Sequence, residues 1–290
     1  MIESATRGDP CSSLLWTSKS TYKIAEELNK EGYRAGRKVV GRILKSLDYS
    51  LQSNKKTREG LGHIDRDAQF QYINEKTKLL QSKNIPVISV DTKKKENIGN
   101  YKNNGTEYRI KGNPREVEAY DFIDKNKGKV VPYGVYDITL NKGWVSVGIN
   151  NDTAQFAVNS IRSWWYEMGR EKYSEMPEIF INADGGGSNG SRNRLWKIEL
   201  QKLANELDKS IHVSHFPPAT SKWNKIEHKM FCFISANWKA KPLIDKATVV
   251  NLIANTTTKN GLTIKAKIDE NIYQKGIKIS DKELKNGTIG

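Results

Sequence analysis

The chain has 290 residues, with 48 lysines and arginines against 33 acidic residues and a formal net charge of +15, a balance that points to a polyanionic partner, nucleic acid first. Aromatic residues and apolar runs are plentiful enough to exclude wholesale disorder, and no apolar stretch approaches the roughly 20 residues that span a bilayer. The mixed, polar N-terminus is unlike a signal peptide and Cys11 and Cys232 offer no disulfide framework, so a reducing, intracellular setting without a membrane partner is expected.

In chain order, residues 16–47 read as two short helices around a tight turn. From Thr21 to Asn29, Ile24, Ala25 and Leu28 share one face, and Gly32 follows as a stop. From Arg37 to Leu47, Val40, Ile43, Leu44 and Leu47 form an apolar stripe, and Lys38, Arg42 and Lys45 form a basic one on the other side. That is the build of a helix-turn-helix recognition element, and equally of an amphipathic helix with a solvated basic face. Residues 48–62 are expected to be a small wing or a basic linker, and 65–82 a helix. Strand-like runs then appear at 85–91, 130–138, 144–149, 178–183 and 211–216. Amphipathic helices lie between the later ones, one facing inward with Ala157, Ile161, Trp164 and Met168, the next with Trp196, Leu200, Leu203 and Leu207. The expected fold is α/β, a mixed five-stranded sheet flanked by helices. The domain plan is a helix-turn-helix region at 1–62, a connecting helix at 63–84, an α/β domain at 85–258, and a basic, partly irregular extension at 259–290.

Three acids stand where such a fold would expose them together. Asp91 ends the run Pro86–Val90, and Asp184 ends Ile179–Ala183; ligands collect at the carboxyl ends of strands in open α/β sheets. Glu227 falls on a helical stripe with Trp223, Met230 and Ile234, expected to face the sheet, where an unpaired charge is costly. Three hard oxygen donors suit Mg²⁺ or Mn²⁺. The plainer alternative makes the aspartates turn residues and Glu227 half of an ion pair. Gly185-Gly186-Gly187 leaves room beside Asp184, but Gly185–Gly190 lacks the Gly-Lys-Ser/Thr ending of a nucleotide loop. His212, His215, His228 and Cys232 suggest zinc only superficially, because residues three apart on a strand point to opposite faces. Lys93, Lys94 and Lys95 directly follow Asp91 and are placed either to meet phosphates or to form a solvated loop. Trp223 is expected in the core.

Long segments carry a family resemblance: Pro86–Glu96 (PVISVDTKKKE), Ile181–Gly190 (INADGGGSNG) and His215–His228 (HFPPATSKWNKIEH), with Pro132–Asp137 and Ala254–Thr258 beside them. The chain resembles insertion-sequence DNA transposases of the ISAzo type, from about Gly8 to the C-terminus. The resemblance implies an RNase H-like catalytic domain and an Asp-Asp-Glu triad at Asp91, Asp184 and Glu227 that holds two Mg²⁺ or Mn²⁺ ions. It also implies N-terminal helices on double-stranded DNA at terminal inverted repeats, target DNA as a second substrate, and self-association on DNA. Members usually carry further helical sequence upstream of Gly8-Asp9-Pro10, so a copy shortened at its N-terminus is expected. An RNase H-fold nuclease or resolvase without strand transfer, and a non-mobile DNA-binding remnant, are the alternatives.

Overall fold

The structure, a computed structural model, describes residues 6–8, 15–17, 20–51, 65–120, 122–124, 126–217 and 223–286. The chain divides into two compact units, Met1–Glu59 and Gly60–Gly290.

In the first unit, β1 (Thr6–Gly8) pairs antiparallel with β2 (Leu15–Thr17). Two helices follow, α1 (Thr21–Lys30) and α2 (Arg37–Ser46). Ser20 caps α1 by accepting the Lys23 N–H. The turn between the helices is tied by Asn29, whose Nδ2 donates to the carbonyls of Ala25 and Ala35 while its Oδ1 accepts from the Ala35 N–H. Ile24, Ala25, Ala35 and Val40 form a small core that Leu28 and Leu44 cover. The stripe on α2 is narrower than its spacing suggests: Ile43 and Leu47 are exposed. A partner helix of only ten residues packs chiefly on Val40 and Leu44 of α2 and leaves Ile43 and Leu47 in water. From residue 52 onward, the expected wing or linker lies outside the described residues.

The second unit opens with α3 (Arg66–Ser82) and is built on one sheet. Its strands are β3 (Val87–Thr92), β4 (Glu96–Asn97), β5 (Lys129–Asp137), β6 (Lys142–Gly148), β7 (Glu178–Ala183), β8 (Ser210–His215) and β9 (Thr263–Asp269). The order across the sheet is β8-β7-β3-β5-β6-β9, with β4 paired to β5. Strand β5 runs antiparallel to β3 and β6, whereas the β3–β7, β7–β8 and β6–β9 pairs are parallel. The five strands β8-β7-β3-β5-β6 are the RNase H-like arrangement, so the expected fold is the observed one. Two strands exceed the five expected. The larger, β9, falls in the segment read as an irregular extension; its Ile264, Ala266 and Ile268 alternate with Thr263, Lys265 and Lys267, and the lysines mask a period-2 edge strand.

Each face of the sheet has its own core. On one, α4 (Ala154–Trp164) and α6 (Arg194–Leu207) cover Ile88, Val90, Tyr133, Val135 and Ile181. On the other, the segment from Ile226 to Trp238 and α8 (Lys246–Ala254) cover Tyr136, Val145 and Val147. No helix among the described residues is long and apolar enough to cross a membrane.

Candidate active site

Parallel register brings the two aspartates side by side. Val90 pairs with Ala183, and the next residues along the two strands are Asp91 and Asp184. Asp91 is 9 % exposed and its Oδ1 accepts the Thr92 N–H at 2.7 Å. Asp184 begins the glycine loop, where Gly187 takes φ +62° before a short 3-10 turn, Gly187–Asn189. A Cβ at Gly187 would meet nothing within 4 Å, and one at Gly186 would meet only Asp184 Oδ2, at 3.9 Å, so the loop leaves room around the carboxylate.

Glu227 reaches the same edge because a glycine lets its helix lie close. Gly134 on β5 stands opposite Asp91 in the ladder. A Cβ there would meet Met230 Cε at 2.6 Å, Phe231 Cε1 at 2.6 Å and Ile226 Cδ1 at 2.8 Å, closer than carbon atoms tolerate. The helix carrying Glu227 also contains a π-turn, Glu227–Phe231, just after its helical start at Lys225 and Ile226 and before α7 (Cys232–Asn237). Single π-turns inside helices recur at functional sites. This one shifts the phase of the expected stripe: Ile226, Met230, Phe231 and Ile234 are buried, whereas Trp223 is 53 % exposed. Trp223 is therefore no core residue; it sits edge-on to Phe70 at 6.0 Å.

The three carboxylates sense one another. Burial pushes Asp91 up to about 8, and the charges of Asp184, Glu227 and Asp152 add to it against the Thr92 N–H. Asp184 is raised chiefly by burial, against hydrogen bonds from the Gly186 N–H and the Asn189 side chain and the nearby His215. Glu227 is raised by burial and by Asp184, and eased by Lys93 and His228. Buried hard oxygen donors that repel one another fit a divalent cation such as Mg²⁺ or Mn²⁺ in kind and in charge. Among the described residues no three His, Cys, Asp or Glu side chains are gathered closely enough to ligate one ion unaided. Water and substrate oxygens must complete any shell.

Two residues at this edge carry no obvious mark in the sequence. Asp152 accepts from Thr92 Oγ1 at 3.2 Å and helps raise Asp91 and Asp184. It follows β6, whose direction matches that of β3, so the rule that singles out Asp91 and Asp184 could have found it. Asn189, 1 % exposed, accepts from Tyr133 Oη at 2.7 Å and holds Asp184 through its side chain, while its carbonyl meets His215 Nε2 at 2.8 Å. His212 is turned to Glu178 at 3.0 Å, so the two strand histidines face different partners, as alternation requires.

The family described as Rhodopirellula transposase DDE domain matches residues 1–289. The chain belongs to this family of DDE transposases. Solved structures give more distant matches. The Mos1 transposase paired-end complex with left transposon end matches at 14 % identity and TM-score 0.47, over 80 % of this chain and 64 % of that one. A pre-cleavage Mos1 transpososome gives 13 % identity, TM-score 0.47, and 80 % and 65 % coverage. A simian T-cell lymphotropic virus intasome in complex with PP2A regulatory subunit B56 gamma gives 14 %, 0.29, and 90 % and 79 %. The chain thus spans less than two thirds of the length of the Mos1 chains. No curated protein matches it.

Within this DDE transposase, the lysines after Asp91 do not act alike. Lys94 and Lys95 are exposed. Lys93 is buried, its Nζ 4.5 Å from the centre of the Trp238 ring and 3.9 Å from Glu96 Oε1. Its N–H donates to the Pro132 carbonyl, which continues the β3–β5 ladder one step and turns the side chain inward beside Glu227. Burial lowers its pKa, opposed by Glu96 and Glu227. Of the three lysines expected either to meet phosphates or to form a solvated loop, Lys94 and Lys95 stay in solvent and Lys93 is taken out of it. On α2, Lys38, Arg42 and Lys45 are all exposed.

Proposed function

We propose that this chain cleaves and joins DNA strands at the ends of an insertion sequence, with Asp91, Asp184 and Glu227 holding two Mg²⁺ or Mn²⁺ ions. What supports this reading is that Asp91, Asp184 and Glu227 lie within electrostatic reach of one another at one edge of an RNase H-like sheet, each carboxylate raised by burial. The ions would supply activation of water, or later of a DNA 3′-hydroxyl, and stabilisation of the leaving oxygen. The chain's own residues orient the rest. Asn189 and the Gly186 N–H fix the Asp184 carboxylate, and the Thr92 N–H fixes that of Asp91. Lys93 offsets the charge of Glu227 from the protein side. The exposed Lys94 and Lys95 meet DNA phosphates at the rim, and Lys38, Arg42 and Lys45 grip the terminal inverted repeats, with target DNA the second substrate. Copies of the chain associate on DNA, in the nucleoid.

The test is cleavage of duplexes carrying the element's terminal repeats in Mg²⁺. The parent should nick the repeat ends and join the exposed 3′-hydroxyl to a second duplex. Asp91→Asn, Asp184→Asn and Glu227→Gln should each lose both steps by more than about 100-fold, beyond the usual cost of losing an outer partner of a metal ligand, with DNA affinity retained. Cleavage without joining would assign a nuclease, and DNA binding with neither step a remnant.

A further inference from the structure

Ser89 and Asn224 are both wholly buried, and neither takes part in the chemistry above. Ser89 Oγ donates to Asn224 Oδ1 and accepts the backbone N–H of Ile226 at 3.0 Å. Asn224 Nδ2 donates to the Val90 carbonyl at 3.1 Å, and its own carbonyl accepts the Glu227 N–H at 3.1 Å. On the strand side the partners are Ser89 and Val90, the two residues before Asp91. On the helix side they are Asn224, Ile226 and Glu227 itself.

Elementary costs make this arrangement informative. A buried hydroxyl and a buried amide each cost free energy unless their hydrogen bonds are made, and an alanine or valine at mid-strand would avoid that cost. The start of a helix leaves backbone N–H groups without intrahelical partners. Here one of them, that of Ile226, is met by a side chain from the sheet. The helix is least regular at this point, since the π-turn starts at Glu227. Apolar contact at Gly134 brings the helix near, but such contact is non-directional. Hydrogen bonds fix register, because their strength falls off steeply with distance and angle.

We propose that Ser89 and Asn224 are positioning residues, a latch that sets the spacing between the strand bearing Asp91 and the helix bearing Glu227 so that the two carboxylates share metal. The latch rests on the metal-binding role of the acids. It acts through Asp91 and Glu227 and touches neither metal nor DNA.

The experiment compares the full-length parent with Ser89→Ala, Ser89→Thr and Asn224→Ala. Mn²⁺ binding to the DNA-free protein is read by titration calorimetry, and single-turnover cleavage of terminal-repeat DNA is read well below the melting temperature of each variant. The alanine variants should lose about 10- to 100-fold in Mn²⁺ affinity and in cleavage rate, as for loss of an outer partner of a metal ligand, while DNA affinity stays at the parent's value. Ser89→Thr, which keeps the hydroxyl, should regain most of both. Folded alanine variants with parental Mn²⁺ affinity and cleavage would overturn the latch and leave the pair merely structural. If Asn224→Ala does not fold, the contrast between alanine and threonine at position 89 decides. Asp91→Asn separates the two readings. Its loss of Mn²⁺ binding beside unaffected alanine variants overturns the latch alone, whereas retained binding overturns the triad and the latch with it.

Discussion

Helix α2 and the carboxyl edge of the sheet handle charge in opposite ways. On α2 the cations Lys38, Arg42 and Lys45 stand in water, over a core of few side chains. At the sheet edge Asp91 is nearly covered, Glu227 is half-buried, and burial raises the pKa of both, as it does that of Asp184. An exposed cation costs little to keep and little to remove, because water screens it. A buried carboxylate without its counter-ion is held against its own solvation, and the protein stores that cost until a cation relieves it. One region thus keeps its charge in solvent, and the other holds charge that its own burial opposes.

The largest effect should come from titrating the incomplete site. In the folded, metal-free chain Asp91 keeps its proton to about 8, whereas the unfolded chain releases it near the ordinary value of 3.8. Folding therefore takes up a proton between those values, and stability falls as pH rises through the window. Asp184 and Glu227, also raised, act in the same direction. The melting temperature of the Gly60–Gly290 unit in chelator should drop from about pH 5 to about pH 8, and Mg²⁺ should restore it most at the upper end, since the ion binds the deprotonated carboxylate. Asp91→Asn should flatten the chelator curve. A curve that rises towards pH 8 without metal would break the contrast between the regions.

A middle-sized effect tests what brings Glu227 to the edge. Gly134→Ala must push back the side chains of Ile226, Met230 and Phe231, at a cost of about 1–3 kcal/mol for overpacking. Denaturant unfolding should show that loss, and cleavage should fall more than stability alone explains, because Glu227 moves with the helix. A variant as stable as the parent would mean that the helix yields easily.

The smallest effect on the fold should come from α2. Changing Lys38, Arg42 and Lys45 together to alanine should leave the melting curve unchanged. The slope of log affinity against log salt should flatten by about 3, near one unit for each phosphate that is no longer neutralised. An unchanged slope would show that these cations face only solvent.

Much of this chemistry is legible in the sequence. Asp91 and Asp184 follow apolar strand runs, and chain direction puts strand ends together. Asp152 obeys the same rule less visibly, because its run ends four residues earlier, at Gly148, and a Thr-capped helix begins beside it. Strand β9 is hidden by its lysines, since one polar face of an edge strand looks the same as a solvated tail. Lys93 looks equivalent to Lys94 and Lys95 because sequence alone does not say where a ladder stops, and here it runs one residue further.

Local pattern alone determined the five strands β3, β5, β6, β7 and β8, the helices beside them and the placing of Asp91 and Asp184 at strand ends, since periodicity and chain direction are properties of neighbouring residues. How closely the Glu227 helix approaches the sheet was settled only in three dimensions. That approach depends on the absence of a side chain at Gly134, the phase shift of the π-turn and the bonds joining Ser89 to Asn224. Residues 89 and 134 lie about 90 or more positions from their partners on the helix, and no local pattern records such a pairing. The same long-range closure buries the carboxylates and so raises their pKa values, because desolvation belongs to the assembled edge and to no single residue within it.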